Sequence, residues 1–271
     1  MINRILKVKI ANLLTSPVLG KIIATILNDK LPYHGLIIDT ADSNITPNTK
    51  AMIFWRLYES AEYRYINQYL PKNLPVVELG SSIGIISAVI KRLINENLLI
   101  CVEANPNLIH TLKNNLRYLS NYFIENYAID YSCEMVEFNI TSSNLESKIG
   151  KHKSSKTKIR PLNVQTIQLN KIIEKYQLEQ YALVSDIEGA EIQILLKENL
   201  KNCLCGIFEL HTTEFENQRY SIADMKNLIK NKGFKIIADA GNVIVFQKSD
   251  LLTSHENKNS LLASCSTYPI Q

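Results

Sequence analysis

Pro75-Val-Val-Glu-Leu-Gly-Ser-Ser-Ile-Gly-Ile-Ile-Ser87 is the stretch that decides the fold. Pro75 to Leu79 is a short apolar run with one acid near its end. Gly80 to Gly84 is a turn of small residues. Beyond it Ile86, Val89, Ile90 and Leu93 recur at helical spacing. Strand, tight turn and helix open a nucleotide-type α/β unit, whose helix N-terminus is a ready ligand site. About 20 residues further on, where such units place a ribose-binding acid, a second apolar run (Leu98 to Val102) ends in Glu103.

Three ligands use a turn of this kind. A dinucleotide fingerprint wants Gly-x-Gly-x-x-Gly, and Ser82 stands where the second glycine lets backbone approach a pyrophosphate. A P-loop needs a Gly-Lys-Ser/Thr ending, which is missing. S-adenosylmethionine (SAM) has no pyrophosphate; it needs an open turn beside its sulfonium and amino-acid end, and an acid for the ribose. Glu78, Gly80, Gly84 and Glu103 suit that ligand best. The same turn also matches the Gly-x-Ser-x-Gly elbow of serine hydrolases, with Ser82 as nucleophile. Against that alternative, an elbow follows several strands of a large sheet, whereas the upstream residues here read mostly as helix. Glu103 would also have no role in it.

The rest of the composition sets bounds. A chain of 271 residues suits one large domain with an appendage. Its net charge of +4 permits an anionic partner without requiring one. Cys101, Cys133, Cys203, Cys205 and Cys265 form no Cys-x-x-Cys pair, and no signal peptide is evident, so free thiols in a reducing cytoplasm are expected. No apolar stretch is long enough to span a bilayer.

Along the chain, Ile2 to Leu27 alternates apolar residues with Lys, Arg and Asn at roughly helical spacing, broken near Pro17. One or two amphipathic helices packed on the main domain are expected. A membrane-surface helix is the sharper alternative, since Arg4, Lys7, Lys9 and Lys21 supply positive charge. Leu31 to Pro47 reads as a small strand or hairpin, and Asn48 to Tyr69 as helix, with Glu59 and Glu62 on one face. Tyr58, Glu59 and Glu62 are core residues or border the cofactor site. After a helix from Asn105-Pro106 come strands at Tyr122 to Ile129 and Glu134 to Ile140. The Ser- and Lys-rich segment Thr141 to Pro161 follows, read as a solvated loop or, alternatively, a basic lid over an anionic substrate. Further strands are expected at Val164 to Leu169, Tyr181 to Ser185 and Leu204 to Leu210. Asp186-Ile-Glu-Gly-Ala-Glu191 should open a helix, with helix capping as the plain role for Asp186. Ser221 to Lys232 should be a helix, Phe234 to Ala238 and Val243 to Gln247 a closing hairpin, and the end a loose tail. This alternation implies a mostly parallel sheet with helices on both faces.

Ligands of an open α/β sheet sit beyond the carboxyl ends of its strands, and Glu78-Gly80, Glu103, Asp186 and Glu209-His211 all fall there. Methyl transfer to a hydroxyl needs the acceptor's proton removed and its oxygen aligned with the methyl carbon. A strand-end carboxylate or imidazole could serve as base. A divalent cation such as Mg2+, held by Asp186 and a second carboxylate, could instead lower the hydroxyl pKa, and that choice stays open.

Val76-Val-Glu-Leu-Gly-Ser-Ser-Ile-Gly84, Val102-Glu-Ala-Asn-Pro106, Ala182-Leu-Val-Ser-Asp-Ile-Glu-Gly-Ala-Glu191 and Phe208-Glu-Leu-His211 together resemble the FkbM family of SAM-dependent methyltransferases. Tyr58-Glu-Ser-Ala-Glu62 is similar to the segment that precedes the glycine turn in that family. The resemblance covers about Trp55 to Lys248. It implies a Rossmann-like class I methyltransferase fold, with a seven-stranded sheet and an antiparallel C-terminal hairpin. It also implies O-methylation of a hydroxyl, often on a sugar or polyketide. By the same resemblance Glu78, Gly80, Ser81, Ser82 and Gly84 line the methionine end and Glu103, with Ala104 beside it, the ribose. Asn105, Ala128 and Ile129 line the adenine, and Asp186 faces the acceptor, with His211 as the second catalytic candidate. Ser81-Ser82 replaces the commoner Ala-Asn of the turn without removing a group that SAM must have.

The expected organisation is a helical and hairpin extension over 1–50, a methyltransferase domain over 51–249 and a flexible tail over 250–271. The expected substrate is a small molecule or glycan. No nucleic acid is expected, because no Asn/Asp-Pro-Pro-aromatic or Pro-Cys segment is present and the basic run from Lys148 to Arg160 has no aromatic residue for stacking. A binding protein that keeps the fold without catalysis is the remaining alternative.

Overall fold

The computed structural model describes residues 13–140, 148–149 and 160–249. Two start signals of one kind open it. Helix α1 (Pro17–Ile26) is capped by Ser16, whose hydroxyl accepts the Leu19 N–H, and Pro17 is preset for its first turn. After the hairpin of β1 (Lys30–Tyr33) and β2 (Leu36–Asp39), α2 (Pro47–Phe54) repeats the device with Thr46 and Pro47. Then come α3 (Ser60–Tyr69), β3 (Val76–Leu79), α4 (Ile85–Ile94), β4 (Leu99–Val102), α5 (Ile109–Leu116) and β5 (Tyr122–Glu125). A side sheet holds β6 (Ala128–Ile129), β7 (Met135–Ile140), β8 (Lys148–Ile149) and β9 (Arg160–Ile167) in the order β6-β9-β7-β8. The chain continues through α6 (Leu169–Lys175), β10 (Tyr181–Ser185), α7 (Glu191–Lys197) and β11 (Cys203–Glu209). It then adds the short hairpin β12 (Thr213–Phe215) and β13 (Gln218–Tyr220), α8 (Ile222–Asn231), β14 (Phe234–Asp239) and β15 (Val243–Lys248).

The main sheet has seven strands in the order β14-β15-β11-β10-β3-β4-β5. The pairs β11–β10, β10–β3, β3–β4 and β4–β5 are parallel; β15 runs against both β11 and β14. The strand runs are mainly apolar because both faces of the sheet are covered; the acids Glu78 and Glu209 fall at or near the carboxyl ends of β3 and β11. Alternate residues feed two cores. Val76, Leu99, Cys101, Ala182, Val184 and Ile207 pack with α3, α4 and α5, while Val77, Ile100, Val102, Leu183 and Phe208 pack with α6, α7 and α8. Leu31, Tyr33 and Ile38 of the first hairpin are buried in the same core as Val76 and Ile83. Asn115 fastens that hairpin to the glycine turn, accepting the Asp39 N–H and donating to the Ile83 carbonyl. The chain leaves β3 towards β4 on one side and returns to β10 on the other, so a crevice opens at the carboxyl ends of β3 and β10.

Several elements differ from the sequence reading. The helix expected over Asn48 to Tyr69 is two helices, broken at Trp55 to Glu59, where Arg56 and Glu59 take φ of 58° and 44°. Glu59 therefore caps α3 from outside it. The strand expected over Tyr122 to Ile129 divides at Asn126-Tyr127, and Ala128-Ile129 joins the side sheet. Asp186 does not cap a helix: α7 begins at Glu191, after a loop in which Glu188 and Gly189 have φ of 55° and 105°. Ser221 closes a capping box with Asp224 at the start of α8, as its sequence suggests. Cys101, Cys203 and Cys205 are buried free thiols and Cys133 is an exposed one. The segments 1–12, most of Thr141 to Pro161, Cys265 and the tail over 250–271 lie outside the described residues.

Candidate active site

The glycine turn is tied to both neighbouring strands. The Gly80 and Ser81 N–H groups donate to the Val102 carbonyl at the end of β4, and the Asp186 N–H donates to the Leu79 carbonyl at the end of β3. Gly80 has φ of +85°, and a Cβ there would lie 1.9 Å from the Asp186 carbonyl oxygen, so only glycine lets the two strand ends approach this closely.

Glu103 is the clasp of the turn. It is 6% exposed; its Oε2 accepts the Ser82 N–H and its Oε1 the Asn105 N–H, each at 2.7 Å. Burial raises its pKa, opposed by those two N–H groups. Each carboxylate oxygen keeps a second lone pair, so the pair can still accept two hydroxyl protons. Asn126 holds the same peptide from the far side, donating to the carbonyls of Glu103 at 2.7 Å and Ala104 at 3.2 Å.

Glu78, 2% exposed, accepts the hydroxyls of Ser81 at 2.9 Å and Ser87 at 2.5 Å. Burial lifts its carboxyl to about 7 against the pull of those hydroxyls. The Ser82 Oγ is buried, where a hydrolase nucleophile would have to be open to substrate.

Beyond the turn lies a narrow cleft lined by Glu59, Glu62, Glu78, Asp186 and Glu209 over an apolar floor of Ile86, Val184 and Ile207. The residues that line it include no lysine or arginine. Asp186 Oδ1 is buried with no hydrogen-bond partner among the described residues. Its pKa stands well above the ordinary carboxylate value, through burial first and then the charges of Glu209, Glu59, Glu191 and Glu188. Burial takes Glu59 to about 8, opposed by the Tyr58 hydroxyl and reinforced by Glu62, Glu78 and Glu209. Burial also takes Glu209 to about 8, helped by a hydrogen bond to Glu62.

His211 stands at the rim, 24% exposed, with Nε2 3.7 Å from Glu188 Oε2 and 3.5 Å from Glu209 Oε1. Asp186, Glu188 and His211 each offer a ligand atom, all within 4.8 Å of one another. Glu191, fully buried, accepts the N–H groups of Ile187 at 2.6 Å and Gly189 at 2.8 Å and thereby shapes the loop that carries Asp186.

Glu78, Gly80, Ser81, Ser82, Gly84, Glu103, Ala104 and Asn105 thus form one connected group, and Asp186 and His211 a second beside it. Ala128 and Ile129 are 2% and 3% exposed, with side chains packed into the interior. Asn126 and Glu191 escaped the sequence reading. An asparagine between apolar runs reads as an ordinary loop residue, and a glutamate in a first helical turn as a dipole partner.

A seven-stranded sheet of this order, with a glycine turn and a strand-end acid at its switch point, defines a Rossmann-like methyltransferase fold. The family model of the methyltransferase FkbM domain matches residues 78–236, and the chain belongs to that family. No curated protein matches it. Among solved structures, TYW2 of M. jannaschii in complex with AdoMet is 16% identical with a TM-score of 0.41, over 80% of this chain and 84% of that one. A protein of the NADB-Rossmann superfamily from Streptococcus agalactiae is 10% identical with a TM-score of 0.41, over 69% and 67%. A precorrin-6y methyltransferase from Geobacter metallireducens is 9% identical with a TM-score of 0.40, over 70% and 87%.

Proposed function

We propose that the chain is a SAM-dependent O-methyltransferase whose acceptor is a carbohydrate hydroxyl, in a glycan or its precursor. The observation that carries this reading is the cleft of five carboxyl side chains and no lysine or arginine. Such a site repels a pyrophosphate and favours a ligand with a sulfonium and an ammonium group. The residues also fit SAM in detail: Glu103 has capacity for two ribose hydroxyls, and the unpartnered Asp186 Oδ1 awaits a donor. Ala104, Asn105 and the backbone of Ala128 and Ile129 would border the adenine. Several convergent carboxyls suit an acceptor with several hydroxyls, since each oxygen can take one hydroxyl hydrogen.

SAM, when bound, supplies an electrophilic methyl carbon. The protein's task is to align the acceptor oxygen with that carbon and to take its proton. Asp186 is the base in this reading: its Oδ1 has no hydrogen-bond partner among the described residues, and burial with the neighbouring carboxyls raises its affinity for a proton. Protonated, it is freed from repulsion by Glu209 and Glu59. His211, between Glu188 and Glu209, carries the proton outward to solvent.

A second reading rests on the grouping of Asp186, Glu188 and His211 around one point. A divalent cation held there would lower the acceptor's pKa in place of a base. The imidazole donor fits Mn2+ or Zn2+ better than Mg2+, which prefers oxygen ligands. Calorimetric titration with SAM, then methyl transfer from labelled SAM to a panel of glycans with and without EDTA, tests both. Folded protein that binds no SAM would sink the methyltransferase reading, and turnover unaffected by EDTA removes the cation.

A further inference from the structure

The outward side of α1 carries residues that the fold does not use. Its inner side packs on α2: Gly20, Ile23 and Ala24 are buried, and a Cβ on Gly20 would lie 1.7 Å from the Pro47 carbonyl oxygen. On the opposite side Val18, Ile22 and Ile26 recur every four residues and are 69%, 50% and 75% exposed. Leu13, just before the helix, is also 69% exposed. The half-open Trp55 lies alongside, with its indole N–H donating to the Leu14 carbonyl. Ten large apolar side chains are exposed among the described residues, and four of them fall between Leu13 and Ile26. That concentration sets the surface apart from ordinary scattered exposure.

Its charge is one-sided. From Met1 to Asn28 the sequence contains Arg4, Lys7, Lys9 and Lys21 and no acid. Lys21 is exposed on the flank of the stripe, beside Ile22. A two-fold pairing of this face with a second copy would bring like charges together with no acid in the segment to answer them. Among the described residues no helix is long and apolar enough to cross a membrane, and a ten-residue helix is suited to lie in a membrane's surface.

We propose that α1 docks the protein on an anionic bilayer surface. Val18, Ile22 and Ile26 enter the boundary between headgroups and acyl chains, Lys21 meets lipid phosphates, and Trp55 sits at the interface, where its amphipathic ring is favoured. This surface is independent of the cofactor cleft, so either reading can fail alone.

The test is co-sedimentation of the full chain with vesicles of phosphatidylcholine, alone or mixed with phosphatidylglycerol. The chain sediments with the mixed vesicles, stays in solution with the neutral ones, and is released by salt. The triple variant Val18→Ser, Ile22→Ser, Ile26→Ser remains in solution with an unchanged unfolding temperature. Lys21→Glu lowers affinity for the mixed vesicles roughly tenfold. Equal binding to neutral vesicles overturns the proposal, as does a triple variant that binds like the parent. A parent that ignores vesicles but forms a dimer that the triple variant dissolves, seen by light scattering, also overturns it.

Discussion

Gly80 and Asp186 meet backbone to backbone: the position of a Cβ on Gly80 is 1.9 Å from the Asp186 carbonyl oxygen. The contact joins the turn that would hold the cofactor to the loop that would hold the base. A Gly80→Ala change must push the two strand ends apart and must also sustain φ of +85° with a side chain. We expect a loss of about 3 kcal/mol or more in stability, read by urea unfolding, with SAM affinity falling alongside. Parent-like stability and affinity together would show that the two loops are not held this tightly.

Glu103→Gln tests the clasp with little change of shape. Two backbone N–H groups, of Ser82 and Asn105, now face the carboxylate. A glutamine has one acceptor oxygen, so its amide N–H₂ must confront one of those donors. The expected cost is roughly 1–3 kcal/mol in stability, and SAM affinity drops about 100-fold, the equivalent of two lost charge-assisted hydrogen bonds. Calorimetry on the folded variant decides it: an unchanged Kd would remove Glu103 from the ribose.

Asp186→Asn separates chemistry from folding. The carboxyl is buried among Glu209, Glu59, Glu191 and Glu188, so a neutral amide relieves repulsion and the variant should be no less stable at neutral pH. Turnover should nonetheless fall by a factor of about 100 to 10,000, while SAM still binds. Activity within a few-fold of the parent would assign the proton to His211 or to no protein group at all.

The legible parts of this chain are those in which neighbouring residues decide the outcome. Strand, glycine turn and helix from Pro75 to Ser87 could be read directly, as could Glu103 at the end of the next apolar run, because each signal lies within one βαβ unit. The break at Trp55 to Glu59 could not. No glycine or proline marks it, the apolar spacing runs through it, and Arg56 and Glu59 take left-handed conformations under tertiary constraint. One such constraint is Tyr33, whose hydroxyl donates to the Tyr58 carbonyl across 25 positions of sequence. Asn126 escaped for a similar reason: its partners, the Glu103 and Ala104 carbonyls, lie 23 and 22 positions back, just past the end of β4. Asp186 looked like a helix cap because its loop is closed by Glu191, whose backward hydrogen bonds to Ile187 and Gly189 delay the helix. The meeting of Glu62 with Glu209 joins α3 to β11 and has no local signature at all.

That meeting gives the cleft a definite response to pH. Glu59 and Glu209 stand at about 8, and Glu78 and Glu191 at about 7, against 4.5 for an ordinary glutamate. A carboxyl raised on folding binds its proton more tightly in the folded chain. Its contribution to stability is complete below the unfolded value, is lost as pH rises, and is gone above the folded value. In the window from 4.5 to about 8 the unfolded state holds fewer protons, so stability must fall with rising pH. The slope is about 1.4 kcal/mol per pH unit for each net proton; the clustered groups share protons, so their slopes do not simply add. SAM reverses the trend in the cleft, because its cationic end replaces protons on the carboxyls and is held more firmly as they ionise. Thermal unfolding between about pH 5 and about pH 9, with and without SAM, reads both effects. The free protein should lose stability across the window and level off, and the stabilisation by SAM should grow. A free protein whose stability is flat or rises over that range would mean that burial does not hold protons on Glu59, Glu78, Glu191 and Glu209.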